Sequence, residues 1–192
     1  MRIGLFFGSF NPVHNGHLII ANHILNESDL NKIWFIISPQ NPFKQTSGLL
    51  NNYDRLHLVN KAIENDERMK ASDVEFKLPM PSYTINTLNF LKEKYPTYRF
   101  VIIMGSDGFQ NLSKWKDYEL IIKDYPLVVY ERPGFKIENN INATVHTLKA
   151  PLLDISATYI RELARRNKSI KYLVPENIEL DIKNNVFFRQ KK

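Results

Sequence analysis

The sequence predicts an α/β protein with a doubly wound, mainly parallel sheet that carries helices on both of its faces. Short apolar runs recur along the chain, and a stretch with helical spacing of apolar residues lies between most successive runs. A Gly- and Pro-containing turn at residues 8–17 joins the first apolar run to the first helical stretch. Because ligands of open α/β sheets bind at such strand ends, this turn is the first place to expect a site.

The apolar runs fall into two groups. Four continuous runs are typical of strands buried on both faces: Ile3–Phe7, Ile33–Ile37, Phe100–Met104 and Leu127–Tyr130. Two alternating runs are weaker candidates, at Ala71–Phe76 and Thr144–Leu148. Helical spacing is found at Leu18–Leu25, Tyr53–Ile63, Ile85–Leu91 and Tyr118–Ile122. This alternation indicates a Rossmann-like fold.

The last part of the chain is predicted to be helical. Ser156 is a good N-cap, and Ile155 and Ile160 occupy the two positions of a hydrophobic staple. A final helix is expected near Glu176–Lys183. With no repeat or linker visible, we expect one domain over residues 1–192, whose C-terminal helical part covers about residues 156–192.

Composition excludes several classes of protein. The 192 residues include no cysteine, which excludes disulfides and thiolate metal sites and fits a cytoplasmic location. No run of 18 apolar residues occurs, so no membrane association is expected. The net charge of +6 favours anionic partners, but the basic residues are scattered, which favours nucleotides over nucleic acid. The sequence leaves a homo-oligomer open.

Two segments combine a helix start with side chains that bind anions. Residues 8–17 read GSFNPVHNGH and place His14 and His17 where a helix is expected to begin. Residues 155–161 read ISATYIR and place Arg161 near the positive end of the late helix, where a bound anion would offset its unfavourable charge. Each segment alone is weak evidence, since histidine pairs are commonly structural and a lone helical arginine is commonly solvated.

Together the two segments resemble the nucleotidyltransferase superfamily, which carries an H-x-G-H turn and an I-S-x-T-x-x-R helix start. Nearly the full chain resembles one of its families, the bacterial nicotinate-nucleotide adenylyltransferases. The supporting segments are residues 38–44, 81–87, 105–107 with Trp115, 132–134 and 172–175. The resemblance implies that ATP and nicotinate mononucleotide give deamido-NAD and pyrophosphate, with Mg²⁺ bound to ATP and no metal site made by the protein.

The resemblance also implies which residues bind each substrate. The side chains expected to act on the reacting phosphates are His14, His17, Lys44 and Arg161. ATP is assigned to these histidines and this arginine together with Gly8, Ser9, Phe10, Asp107, Ile155 and Ser156. Nicotinate mononucleotide is assigned to Ser9, Lys44, Thr84, Trp115 and Lys116, with the Trp115 indole stacked on the pyridine ring.

Three positions depart from the pattern of the family. Asn11 and Asn86 stand where Asp is usual, and Ser9 stands where Gly is frequent. A role that needs a carboxylate at residue 11 or 86 is therefore not expected in this chain.

Some of the assigned side chains also have a plain structural interpretation. Asp107 and Thr84 could each cap a helix, and Trp115 could belong to the core. Arg132, which precedes a Pro-Gly turn, is not favoured as a site residue.

Three other functions remain as alternatives. A pantetheine-phosphate adenylyltransferase is usually shorter and has Thr at the position of His14. A nicotinamide-mononucleotide adenylyltransferase differs mainly in the pyridine pocket. A non-enzymatic, basic regulator with this fold would bind nucleic acid with a steep dependence on salt.

Overall fold

One six-stranded sheet organises the computed structural model, which describes residues 1–40, 48–151, 153–185 and 187–188. The strand order is β3-β2-β1-β4-β5-β6, and every neighbouring pair is parallel. The strands are β1 (Arg2–Gly8), β2 (Lys32–Ile37), β3 (Met69–Ser72), β4 (Arg99–Gly105), β5 (Leu127–Tyr130) and β6 (Val145–Leu148). The predicted doubly wound parallel fold is confirmed.

Helices cover both faces of this sheet. They are α1 (Asn15–Glu27), α2 (Asn52–Ile63), α3 (Thr84–Lys94), α4 (Ser106–Gln110), α5 (Tyr118–Asp124), α6 (Ala157–Arg165) and α7 (Glu176–Asn184). Apolar side chains of α1, α2, α6 and α7 share one core cluster, whereas those of α3, α4 and α5 share the other. Among the described residues no helix is long and apolar enough to cross a membrane.

The predicted elements match the observed ones except at their ends. The predicted strand Ala71–Phe76 was wrong after its first two residues, because β3 ends at Ser72 and residues 74–77 form a 3₁₀ helix. The neighbouring strand β2 ends one residue beyond its pairing with Ser72, so no further ladder bonds are available to β3. Helix α1 begins three residues before the first apolar residue of its pattern, since its first turn is polar.

The centre of the sheet is built from distant parts of the chain. β1 lies between β2 and β4, and Ile3 pairs with Phe100. The crossovers from β1 proceed toward β3, whereas those from β4 proceed toward β6. The carboxyl ends of β1 and β4 therefore form the switch point at which doubly wound sheets bind ligands.

Candidate active site

A cleft of about 720 Å³ opens at this switch point. Gly8 and Gly105, the last residues of β1 and β4, form part of its floor. Its walls include parts of both predicted segments, since Ser9, Phe10 and His17 line it together with Arg161. Residues from opposite ends of the sequence are thus brought to one place, as the two-segment hypothesis requires.

The turn formed by residues 8–14 is held in an unusual backbone conformation. Phe10 has a φ of 45°, in the left-handed region that residues with a side chain rarely adopt. The Phe10 ring packs edge-on against Phe6 and His17. A Cβ atom on Gly8 would lie 2.8 Å from the Phe10 ring, so only glycine allows the ring this position. The strained turn is therefore fixed by packing.

The two histidines of this turn form a stacked pair. Their ring centroids lie 3.7 Å apart, with 27° between the ring planes. The His14 backbone N–H donates to Nδ1 of His17 over 3.2 Å. Because Nδ1 of His17 accepts this hydrogen bond, the ring proton is assigned to Nε2. His17 lines the cleft and has the tautomer that donates from Nε2.

His14 is not itself a wall of the cleft. It is the N-cap residue of α1 and is buried, and its Nδ1 has no hydrogen-bond partner among the described residues. Burial, with the positive charge of Arg132, lowers the pKa of His14 to about 4. His14 is therefore neutral at physiological pH. Gly16 leaves room for its ring, since a Cβ there would lie 3.1 Å from that imidazole.

The second segment meets the 8–14 turn through Arg161. Nη1 of Arg161 donates to the Asn11 carbonyl over 2.8 Å, and Nη2 donates to Thr158 Oγ1 over 3.1 Å. Burial and the neighbouring charge of Arg165 lower the pKa of Arg161, which stays a cation at neutral pH. Arg161 and Thr158 both line the cleft.

The cap of α6 is as predicted. Ser156 Oγ accepts a hydrogen bond from the Tyr159 backbone N–H over 3.2 Å. Ile155 and Ile160 both pack into the same core cluster, as a hydrophobic staple requires. Ile155 and Ser156 lie next to the cleft-lining residues Ala157 and Thr158 but are not themselves part of the lining.

Asp107 is paired with Arg132 at the end of β4. Nη1 of Arg132 donates to Asp107 Oδ2 over 2.9 Å, and both residues line the cleft. Gly105 allows this pair to lie across the strand end, since a Cβ there would come within 2.7 Å of Arg132 Cδ. The sequence did not favour a role for Arg132 at the edge of the site, and the structure places its side chain in the lining of the cleft. No local pattern links it to Asp107, which lies in the first turn of α4 without capping it.

On the opposite face of the sheet the cleft has an aromatic side, formed by Tyr83, Thr84, Trp115 and Lys116. The Lys116 ammonium lies 4.9 Å from the centre of the Tyr83 ring, a cation–π distance. Thr84 is the first residue of α3, whose N-cap is Tyr83, so the alternative of Thr84 as the cap was wrong. Trp115 is half-buried against the core and also lines the cleft.

Glu75 is a buried acid in the wall of the cleft that sequence analysis did not find. Its Oε1 accepts from Thr87 Oγ1 over 2.8 Å, and burial raises the pKa of its carboxyl. Arg55 was missed as well, because it lies inside the apolar pattern of α2, and its guanidinium binds backbone close to the cleft. The Asn11 side chain also binds backbone there, although the sequence had named this residue only as a departure from the family pattern. Lys44 lies outside the described residues.

The described residues include no group of three or more His, Asp or Glu side chains placed to hold a metal ion. Of the acids that line the cleft, Asp107 is paired with Arg132, and Glu75 has a raised pKa. The part of the cleft that the structure describes therefore provides cations and backbone groups for anions rather than a cage for a cation.

Comparison with known proteins identifies the family to which this chain belongs. The model of the cytidylyltransferase-like family matches residues 5–163. A probable nicotinate-nucleotide adenylyltransferase of Flavobacterium psychrophilum is 46% identical over 99% of this chain and 100% of its own length. One of Cytophaga hutchinsonii is 49% identical over 93% of this chain and 94% of its own length.

A solved structure shares the fold over almost the whole chain. The Plasmodium falciparum nicotinic acid mononucleotide adenylyltransferase complexed with NaAD has a TM-score of 0.82 and 22% identity, covering 97% of each chain. At this identity the likeness supports the architecture alone, and the two bacterial relatives identify the family.

Proposed function

We infer the activity from the premise that this chain belongs to the cytidylyltransferase-like family and, within it, to the nicotinate-nucleotide adenylyltransferases. The protein transfers the adenylyl group of ATP to nicotinate mononucleotide, giving deamido-NAD and pyrophosphate in NAD biosynthesis. The observation that carries this most directly is the bond from Arg161 to the Asn11 carbonyl. It joins the two family segments across one nucleotide-sized cleft.

The reaction needs cations more than it needs a base. An oxygen of the mononucleotide phosphate attacks the α-phosphorus of ATP, the bond from that phosphorus to the β-phosphate oxygen breaks, and pyrophosphate leaves with the electron pair. The attacking phosphate is largely dianionic at pH 7, because its second pKa is about 6. The barrier is repulsion between anions and charge that develops at the transferred group, which fixed donors and cations lower.

We assign these donors to the 8–14 turn and to α6. His17 donates from Nε2 to the α-phosphate, which is supported by the hydrogen bond that its Nδ1 accepts from the His14 N–H. Backbone N–H groups of Ser9 and Phe10, at the end of β1 beside Gly8, bind the phosphates. Arg161 and the start of α6 at Ser156 hold the β- and γ-phosphates, with Ile155 fixing the entry of that helix.

The stacked position of His14 behind His17 supports an indirect role in phosphate binding. Its ring holds the His17 ring in place. Lys44 is assigned to the reacting phosphate by family resemblance alone.

Asp107 and the aromatic side bind the parts of the substrates that do not react. The Asp107 carboxylate accepts a hydrogen bond from a ribose hydroxyl of ATP. The hydrogen bond that Arg132 donates to Asp107 orients this carboxylate. Thr84 and the backbone near Trp115 and Lys116 donate to the nicotinate carboxylate, and the indole stacks on the pyridine ring. The cation–π contact of Lys116 on Tyr83 supports this assignment, because it holds a positive charge on the aromatic side of the cleft.

We propose that Mg²⁺ enters as part of the substrate MgATP. The lack of a ligand cage among the described residues fits an ion that keeps its own waters and is bound chiefly by the triphosphate. Self-association and a cytoplasmic location stay predictions of the sequence. Sedimentation velocity would measure self-association.

A pyrophosphate-release assay tests the function. ATP is supplied with nicotinate mononucleotide, nicotinamide mononucleotide, phosphopantetheine or no acceptor. We expect rapid release of pyrophosphate only with nicotinate mononucleotide. Rapid release with phosphopantetheine, or none with any acceptor, would contradict the assignment.

A further inference from the structure

Arg55 is a charged residue in the interior of the protein, on α2 and next to the cleft. Its exposed fraction is 0%. The guanidinium donates to three backbone carbonyls: Nη1 to Ser9 over 2.6 Å and to Ser38 over 2.9 Å, and Nε to Leu50 over 3.1 Å. Nη2 donates to Asn52 Oδ1 over 2.6 Å. Arg55 thus binds the segments that follow β1 and β2.

In the part of the chain that the structure describes, no acidic side chain pairs with Arg55. None of the ion pairs among the described residues includes it. Burial lowers the pKa of Arg55 to about 10, and the side chain therefore stays positive at neutral pH. An uncompensated buried charge is costly unless something offsets it. Four polar contacts offset part of this cost, and an anion in the neighbouring cleft would offset more.

The bond to Ser9 also sets the direction of a backbone donor. In a trans peptide the C=O and the N–H of one unit point in opposite directions. Because the Ser9 carbonyl points to Arg55, the Phe10 N–H of the same peptide unit points away from Arg55. Ser9 and Phe10 both line the cleft.

A second arginine acts on the same turn from the other side. Arg55 holds the carbonyl before the strained Phe10, whereas Arg161 holds the Asn11 carbonyl after it. The Asn11 side chain in turn donates to the Gly48 carbonyl over 3.0 Å and accepts from the Leu50 N–H over 3.1 Å. A strained residue persists when its surroundings determine it on both sides, and that is the arrangement here.

We propose that Arg55 is a positioning residue for adenylyl transfer: it fixes the Ser9–Phe10 peptide that faces the phosphates of ATP and supplies a buried positive charge behind it. The proposal rests on the proposed function. Arg55 does not touch the substrate. The 8–14 turn is then held by two arginines, one that lines the cleft and one that is buried beneath it.

The alternative is that Arg55 only anchors α2. A control on the same helix separates the two interpretations. Lys61 donates to Asp181 of α7 over 2.8 Å and is outside the lining of the cleft. Lys61→Met therefore weakens the packing of α2 without changing the cleft, whereas Arg55→Met removes the four contacts and the charge but keeps an apolar stem.

Three measurements are made on wild type, Arg55→Met, Arg55→Lys and Lys61→Met. They are the melting temperature, kcat and KM for adenylyl transfer, and the affinities for ATP and adenosine by calorimetry. For Arg55→Met we expect kcat to fall about 100-fold and ATP affinity to fall about tenfold more than adenosine affinity. Lys61→Met lowers the melting temperature alone.

Arg55→Lys separates charge from positioning. Lysine keeps the charge but not the planar group that reaches Ser9 and Ser38 together. For Arg55→Lys we expect the ratio of ATP affinity to adenosine affinity to stay within about threefold of the wild-type ratio. We expect its kcat to be about tenfold lower than that of wild type. If Arg55→Met does not fold, the test depends on Arg55→Lys alone. A kcat of Arg55→Lys equal to that of wild type would then overturn the proposal.

Other results would also overturn it. If Arg55→Met loses ATP and adenosine affinity by the same factor, or keeps kcat within about threefold of wild type, Arg55 is only an anchor. The binding comparison needs no mononucleotide. A wild type that binds ATP but fails to use nicotinate mononucleotide therefore contradicts the proposed function and leaves this test intact.

Discussion

The two sides of the cleft are built by different means. The turn side consists of backbone in a strained conformation, held by two arginines and a stacked histidine pair. The aromatic side consists of side chains from two separate segments, residues 83–84 and 115–116, linked by one cation–π contact. From this difference we expect adenylyl transfer itself to depend on the backbone of the turn side, and the choice of acceptor to depend on the side chains of the aromatic side.

The strongest test of this contrast is His17→Ala, on the turn side. We expect the activation free energy to rise by about 3 kcal/mol, so that kcat falls by somewhat more than about 100-fold, because the Nε2 donor acts on charge in the transition state. The KM for ATP should change little. Steady-state kinetics measure this. His23→Ala, on the same helix but outside the cleft lining, is the control. A folded His17→Ala enzyme with normal turnover would remove His17 from the reaction.

The second test concerns the acceptor. Wild type should prefer nicotinate over nicotinamide mononucleotide by at least about 100-fold in kcat/KM. The donors that we propose on the aromatic side would suit a carboxylate, and an amide would leave one buried donor unpaired, at a cost of roughly 1–3 kcal/mol. Thr84→Val should narrow this preference without lowering kcat for the acid. Equal efficiency with both mononucleotides would mean that the aromatic side does not choose the acceptor.

The third test uses pH and applies only to the turn side. The pKa of His14 is about 4 in the folded protein and near 6.5 when unfolded. The unfolded chain therefore binds more protons between these values, and this contribution to stability is complete above pH 6.5. It is lost as the pH falls toward 4, by roughly 2–3 kcal/mol.

Urea unfolding at several pH values measures the loss, with His14→Gln as the matched variant. The variant should lose less stability than wild type over the same range. Parallel stability profiles for the two proteins would show that His14 is not buried as described.

The smallest expected effect is that of Trp115→Ala. We expect the KM for nicotinate mononucleotide to rise about tenfold, since an aromatic stack contributes roughly 1 kcal/mol beyond its buried area, and the KM for ATP to stay unchanged. Trp115→Phe keeps a ring and should lie close to wild type. If kcat of Trp115→Ala falls while the KM for nicotinate mononucleotide stays the same, Trp115 belongs to the core. The turn side and the aromatic side of the cleft would then not be independent.

On both sides of the cleft the structure brings together residues that the sequence predicted, and the residues that the sequence missed depend on tertiary contacts. Histidines at a helix start and an arginine after an N-cap are visible because capping and charge are local properties. Arg55 was not visible, since a polar residue in an amphipathic helix is normally solvated and only the tertiary fold shows that it is buried. The Asp107–Arg132 pair was missed because 25 residues separate its members.

The bond between Arg161 and Asn11 spans 150 residues of chain, which has a consequence for protein synthesis. A ribosome that adds about 5–20 residues per second needs roughly 10–30 s to cover that distance. Early in this interval the nascent chain has a complete 8–17 segment but lacks β4, the neighbour of β1 in the sheet. Throughout the interval it lacks Arg161, which holds the turn from the side of α6. We therefore expect the nascent chain to bind ATP only after Arg161 has been added and the turn is held on both sides.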